Sequence, residues 1–227
     1  MTELLPLAEY TGGINTDLDG TLAPSDAAFP LLVERIVEGE GLSADNGYVD
    51  RYVYERGLIR TTAQAEAKAA GSKNGKPYDV YHHLGVMFEL PPEQIDEYVD
   101  VVAESGPDLM LPGARKWLQI VGGLAIPRRI VSYGHQPTQD AKMRMNDVSR
   151  LVEEFGFEVA IVDGRKGPYF SSQPDNGPEM HVDDRENNMV GMPERLTPVL
   201  IGPAEVSRAG LVVVRDLPHL LALSGAI

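Results

Sequence analysis

The chain has no cysteine among its 227 residues. Disulfides, thiolate metal sites and a cysteine nucleophile are excluded together. Positive charge is scarce as well: 20 Lys and Arg face 34 Asp and Glu, a formal net charge of −14. Such a chain repels phosphate backbones at long range, and no cluster of Lys and Arg supplies a local exception, so no nucleic-acid partner is expected. Long apolar runs are missing too. The opening "MTELLPLAEY" has neither a basic region nor an extended apolar segment, and nothing after it approaches the length of a membrane span. These absences point to a soluble, cytoplasmic protein with no membrane partner. Disorder is not the expectation, because a hydrophobic content of 43% and a charged content of 24% are those of a globular chain able to bury a core.

In the second half, β-type runs alternate with helical stretches. The runs are "RRIVS" (128–132), "FEVAIV" (157–162), "EMHVDD" (179–184), "PVLIG" (198–202) and "GLVVVR" (210–215). The alternation predicts an α/β fold, a parallel sheet with helices on its faces. With "GGINTD" near the start, the sheet has about six strands. Between Ser132 and Phe157 the spacing predicts one helix, opened by Pro137, ended by Gly156, with Ala141, Met145, Val148, Val152 and Phe155 on one face. Residues 25–110 read differently. "PLLVERIVEGEG", "GYVDRYVYERG", "TAQAEAKAAG", "YDVYHHLG" and "PPEQIDEYVDVVAESG" carry helical spacing or composition and few strand signals, with "GSKNGKP" (71–77) the most loop-like stretch. The expected organisation is an α/β core from residues 1–24 and 111–227, with residues 25–110 inserted as a helical domain.

"INTDLDGTLAP", residues 14–24, sets Asp17 and Asp19 at the tip of the first strand. In an open parallel sheet, ligands sit beyond the carboxyl ends of the strands. Ser132 ends the second strand, and Asp183 with Asp184 the fourth. Carboxylates converging on one edge repel one another unless a cation lies among them. Oxygen ligands without Cys or His point to Mg²⁺. A two-residue step along extended chain points Asp17 and Asp19 to one side, and Gly20 lets the backbone turn beneath them.

"DLDGT" at 17–21, Ser132 after "RRIV", a downstream lysine and "VDDRENN" at 182–188 resemble, in the same order, the four motifs of the haloacid dehalogenase (HAD) superfamily. "LMLPGARKWLQIV" (109–121) is similar to that family's segment returning from cap to core. The resemblance covers essentially the whole chain and implies a Rossmann-like core with a C1-type helical cap. It implies that Asp17 attacks phosphorus to give an aspartyl-phosphate, and that Asp19 protonates the leaving alcohol and then deprotonates the hydrolytic water. Chemistry agrees with this division, since a nucleophile must stay ionised beside a metal while an acid/base must exchange a proton away from it. Ser132 is implied to bond a phosphoryl oxygen, with Thr21 and Tyr133 as further phosphate contacts. Asp184 is implied to bind Mg²⁺ together with Asp17 and Asp19. Asp183 stands where many relatives have glycine, and either joins that set of ligands or orients it. Asn188, with Asn187 as a near rival, fits the Asn that often follows. The motif lysine is either Lys142, ten residues after Ser132, or Lys166, whose spacing and following Pro168 are closer to the family pattern. Its implied role is to offset the charge of Asp17 and the phosphoryl group during transfer.

The activity so implied is Mg²⁺-dependent hydrolysis of a small phosphorylated metabolite, with a phosphomutase or a catalytically inactive HAD-fold binding protein as rivals. A dehalogenase is disfavoured, because Asp19 and the acidic cluster would have no evident purpose in one. Other residues have ordinary readings. His82, His83, His181 and His219 read as packing or surface, whereas His135 is expected near the phosphate. Arg51, Arg56, Arg60, Lys73 and Lys76 offer contacts for an anionic substrate or, more ordinarily, a charged helical face. Tyr48, Tyr52, Tyr54 and Trp117 read as packing. One departure stands out: "TGGINT" is polar and glycine-rich where the family has an apolar strand, which predicts a short or loose strand there.

Overall fold

The computed structural model describes residues 4–24, 27–69, 77–162, 164–202 and 211–226; Lys73, Lys76 and all but the last residue of the loop "GSKNGKP" lie outside them. In chain order the elements begin with β1 (Gly13–Thr16), α1 (Ala28–Gly39), α2 (Tyr48–Ala69), α3 (Val80–Phe88) and α4 (Pro92–Ser105). Then come α5 (Ala114–Gly122), β2 (Arg128–Tyr133), α6 (Gln136–Met145), α7 (Val148–Phe155) and β3 (Glu158–Val162). The chain closes with α8 (Lys166–Ser172), β4 (Glu179–Asp183), β5 (Leu196–Ile201), β6 (Val212–Val214) and α9 (Leu217–Leu223). No described helix is long and apolar enough to cross a membrane. The chain divides into two compact units.

The first unit comprises Met1–Ser25, Met110–Tyr133 and Val148–Ile227. Its six strands form one parallel sheet in the order β3-β2-β1-β4-β5-β6. Strand order reverses at β1, which makes the carboxyl end of β1 the place where a doubly wound sheet opens a crevice. Strands covered on both faces normally read as apolar runs, as β5 and β6 do. The two central strands break that rule, since Asn15 of β1 and Glu179 and His181 of β4 are all buried. Buried polar groups must find partners. Asn15 Nδ2 donates to Glu179 Oε2 and to the Met180 carbonyl, both at 3.1 Å, and its Oδ1 accepts from Arg129 Nη1 at 3.3 Å. Arg195 Nε completes the set, donating to Glu179 Oε1 at 2.7 Å. The polar first strand is thus fully buried and tied to its neighbours, where the sequence alone predicts looseness. Near its end, Thr16 Oγ1 accepts a 3.0 Å hydrogen bond from the indole of Trp117, a fully buried residue on the apolar face of α5.

The second unit comprises Asp26–Leu109 and Gly134–Asp147. Helix α1 presents Phe29, Leu32, Val33 and Ile36 to a core shared with Tyr52, Val80, Leu84, Ile95 and Val99. Helix α6 joins this unit, although the sequence places residues 134–147 with the α/β core. Ala141 and Met145 bury in the helical core, Arg144 pairs with Asp96 and Asp100 of α4 at 3.2 and 2.9 Å, and Thr138 Oγ1 accepts from Val80 N at 3.1 Å. The single helix expected from Pro137 to Phe155 is therefore two. The break falls at Asn146 and Asp147: Asn146 Nδ2 donates to the Lys142 carbonyl at 2.7 Å, and Asp147 turns the chain with φ of 58°. A side chain that bonds the last helical carbonyls, followed by a left-handed residue, ends a helix whatever periodicity continues beyond.

Candidate active site

Parallel register places the acidic tips side by side. Thr16 pairs with Val182, and Asp17 N extends the ladder by donating to the Val182 carbonyl at 2.8 Å. Asp17 thereby comes level with Asp183, and residues level across parallel strands project to the same face. Lys166, the first residue of α8, reaches between them: its Nζ lies 2.6 Å from Asp17 Oδ1 and 2.6 Å from Asp183 Oδ2, with all three side chains buried. Asp183 also accepts from Arg185 N at 2.8 Å and from Asn188 Nδ2 at 3.0 and 2.9 Å, and its Oδ2 lies 3.1 Å from His181 Nε2. A carboxylate offers about four lone-pair positions. Of the two roles weighed for Asp183, these contacts support orienting its neighbours, Lys166 above all.

Asp184 closes the cluster. Carboxylate oxygens of Asp17, Asp183 and Asp184 all lie within 4.8 Å of one another, and Asp184 Oδ1 is buried without a hydrogen-bond partner. The loop after β1 makes room for it. Leu22 N and Ala23 N both donate to the Leu18 carbonyl at 3.0 Å, and Gly20 takes a φ of 79° with its Cα against the Asp184 carboxylate, so that a Cβ there would run into the carboxylate oxygens. Asp19 is half-buried in the same loop, bridged to Ala23, and lies outside the three-carboxylate cluster.

The electrostatics of the three acids differ. Burial pushes the Asp17 carboxyl up to about 8, with Lys166 opposing the rise and Asp183 adding to it. Burial and then the Asp183 charge raise Asp184 to about 6. For Asp183 burial works in the same direction, but the His181 hydrogen bond and the Lys166 charge outweigh it and hold the carboxyl well below the usual range. The His181 imidazole is pushed down by its burial. Both carboxyls stay raised although Lys166 lies 2.6 Å from Asp17 and Arg185 Nε 3.8 Å from Asp184, so further positive charge between them would be stabilising. An all-oxygen donor set that includes Asp184 Oδ1, an oxygen with no hydrogen bond and only the loose Arg185 ion pair at 3.8 Å, fits a hard divalent cation such as Mg²⁺, which Asp17 and Asp184 would hold.

Two hydroxyls complete the site. Ser132, at the end of β2, and Thr21, in the loop after β1, are each 1% exposed, and neither Oγ has a hydrogen-bond partner. Orphaned buried hydroxyls are uncommon, and each leaves a position that a water or a ligand atom can fill. Tyr133, half-buried, is the last residue of β2.

Most of the remaining candidates fall in the helical unit. The Lys142 ammonium lies 5.7 Å from the centroid of the Phe29 ring. His135 Nδ1 is 3.2 Å from Thr138 Oγ1 and 3.5 Å from Asp79 Oδ1. His83 bonds Tyr78 OH at 2.7 Å and Glu55 Oε2 at 3.1 Å and stacks on Tyr52, while His82 is exposed. Arg51 pairs with Glu55 at 2.7 Å, Arg56 covers the rings of Phe29 and Tyr78, and Arg60 is exposed. Tyr48 packs on Phe88, whereas Tyr54 is two-thirds exposed, at 67%. In the α/β unit His219 Nδ1 accepts from Arg215 N at 3.2 Å. Sequence reasoning missed the polar support beneath the site, Asn15, Glu179 and Arg195. Its one signal was polarity inside strands that should be apolar.

No family model matches the sequence, and no curated protein does. Solved structures do match. The HAD-hydrolase YfnB from Bacillus subtilis, bound to magnesium, aligns with a TM-score of 0.58 at 14% identity over 94% of this chain and 98% of its own. CbbY from Rhodobacter sphaeroides, in complex with phosphate, gives 0.51 at 18% identity over 95% and 99%. The defluorinating L-2-haloacid dehalogenase Rha0230 gives 0.55 at 12% identity over 97% and 98%. Likenesses this distant in sequence show the fold: the chain has the α/β fold of the haloacid dehalogenase-like hydrolases.

Proposed function

We propose that the chain is a cytoplasmic, Mg²⁺-dependent phosphatase that hydrolyses a small phosphorylated metabolite through an aspartyl-phosphate on Asp17. The observation that carries this reading is the meeting of Asp17, Asp184 and Lys166 at one strand edge, with Asp17 Oδ1 on the Lys166 ammonium at 2.6 Å. Asp17 and Asp184 would hold Mg²⁺, which would supply charge neutralisation for those carboxylates and for the transferring phosphoryl group.

The chain's own residues divide the work as follows. Asp17, kept in place by Lys166 and the β1–β4 ladder, directs a carboxylate oxygen at phosphorus, and the P–O bond to the leaving alcohol breaks as the Asp17–phosphorus bond forms. Asp19, outside the carboxylate cluster, gives its proton to the leaving oxygen and later takes one from the water whose oxygen bonds phosphorus as the Asp17–phosphorus bond breaks, releasing phosphate and the Asp17 carboxylate. The Ser132 and Thr21 hydroxyls donate to phosphoryl oxygens, which satisfies groups that have no partner within the protein. Lys166 offsets the charge on those oxygens, and Asp183 fixes its direction. Solved structures of the same fold include one with magnesium, one with phosphate and one described as a dehalogenase, so the scaffold alone does not select the reaction. The acid cluster and Asp19 favour phosphoryl transfer.

The test is hydrolysis of p-nitrophenyl phosphate with and without Mg²⁺, run beside halide release from a 2-haloacid. Activity on the ester that requires Mg²⁺ and disappears in Asp17→Asn supports the proposal. Halide release without ester hydrolysis overturns it.

A further inference from the structure

His181 is the one fully buried imidazole of the α/β unit, placed in a central strand where an apolar side chain would satisfy the sheet without a partner. Its Nε2 lies 3.1 Å from Asp183 Oδ2, the same oxygen that holds the Lys166 ammonium at 2.6 Å. An ionised carboxylate only accepts, so in this contact the imidazole is the donor and its proton is on Nε2. The ring also packs against Phe170 of α8 with centroids 4.9 Å apart, and α8 is the helix that begins with Lys166. The far end of α8 is fastened from below, where Arg195 Nη2 donates to the Phe170 carbonyl at 2.7 Å and Arg195 Nε to Glu179 at 2.7 Å. His181 therefore stands between the carboxylate that aims the lysine and the helix that carries it.

We infer that His181 is a positioning residue: through the Nε2–H bond to Asp183 it fixes the carboxylate oxygen on which Lys166 rests, and so the direction of the lysine toward Asp17. The inference rests on the proposed phosphatase reading for its kinetic consequence, but not for its geometry. Asp183 has Lys166, Asn188, Arg185 N and His181 as donors. Without His181, Oδ2 keeps Lys166 and Asn188 alone, and the carboxylate is free to rotate toward its remaining donors. Neighbours that hold a catalytic or ligand group in this manner typically change rates about 10- to 100-fold when removed.

Two substitutions separate the bond from the packing. His181→Phe keeps the ring against Phe170 and removes the donor, whereas His181→Gln keeps an N–H at the same number of bonds from the backbone. On p-nitrophenyl phosphate with Mg²⁺, His181→Phe is expected to lower kcat about 10-fold with KM changed less than about twofold, and His181→Gln to recover most of the loss. Equal kcat in the wild type and His181→Phe, or equal losses in both variants, overturns the inference. A second readout needs no turnover. Long-range ¹H–¹⁵N spectra of the metal-free wild type are expected to show His181 as the Nε2–H tautomer, and a proton on Nδ1 with Nε2 bare overturns the inference directly. A wild type that hydrolyses no ester sinks the phosphatase reading, and the tautomer then decides the role of His181 by itself.

Discussion

The ammonium of Lys166 lies 2.6 Å from Asp17 and 2.6 Å from Asp183 and is buried with both. One cation thus serves two carboxylates that sheet register forces side by side. Breaking a buried ion pair by removing one partner costs about 3–5 kcal/mol, because the charge left behind has neither water nor a counterion. Lys166→Met is therefore expected to lower the thermal midpoint and to reduce ester hydrolysis at least about 100-fold. Thermal unfolding followed by circular dichroism, together with kcat at saturating Mg²⁺, checks both. A variant as stable and active as the wild type would remove Lys166 from the site's electrostatics.

The carboxyls of Asp17 and Asp184 make a prediction about pH. Both are raised, to about 8 and about 6, above an ordinary value of 3.8. A carboxyl that titrates higher when folded than when unfolded contributes stability that is complete below about pH 4 and is lost as pH rises through its folded value. Without divalent cation, stability is expected to fall between about pH 4 and about pH 8 and then level off. Mg²⁺ binding requires the ionised forms, so its affinity is expected to rise across the same window, with proton release at pH 6–7. Calorimetric titration in two buffers of different ionisation enthalpy measures those protons. Affinity independent of pH from 5 to 8 would count against both assignments.

Gly20 gives a sharper test of the ion site. Its φ of 79° and its contact with the Asp184 carboxylate leave no room for a Cβ. Gly20→Ala displaces Asp184 and strains the loop by about 1 kcal/mol. Mg²⁺ affinity is expected to drop at least about 10-fold while the far-ultraviolet circular dichroism stays unchanged. Unaltered affinity in a folded Gly20→Ala protein would place the cation somewhere other than beside Asp184.

How far the sequence alone reaches depends on how local the determinants are. The strand-end acids of "DLDGT" and "VDDRENN" could be read because each motif is contiguous and a parallel sheet delivers strand ends to one edge. The α/β class followed from alternating periodicity for the same reason. Asn15 could not be read: its polarity makes sense only once Glu179, 164 residues away, and Arg129 are seen to bond it. The break after Met145 was hidden by a periodicity that runs on through Val148, so one apparent helix face conceals two helices in different units. Long-range partners and helix caps decide those points, and neither is written in spacing.

The helical unit offers a stability prediction of its own. Glu89 caps the carboxyl end of α3 in the left-handed region, with φ of 58° and ψ of 35°, and its side chain is exposed. A residue with a Cβ is strained there by about 1–2 kcal/mol, and glycine removes that strain at the expense of a more flexible unfolded chain. The balance is expected to favour Glu89→Gly by about 0.5–1 kcal/mol, since the unfolded-state term is the smaller. For a chain of this length that corresponds to a rise in thermal midpoint of about 1–4 °C. Glu89→Ala is the control: it removes the same carboxylate but keeps the Cβ, so it should leave the midpoint where it was. A gain in both variants would assign the effect to charge instead of backbone, and a loss in Glu89→Gly would mean that the left-handed turn is not what limits the stability of α3.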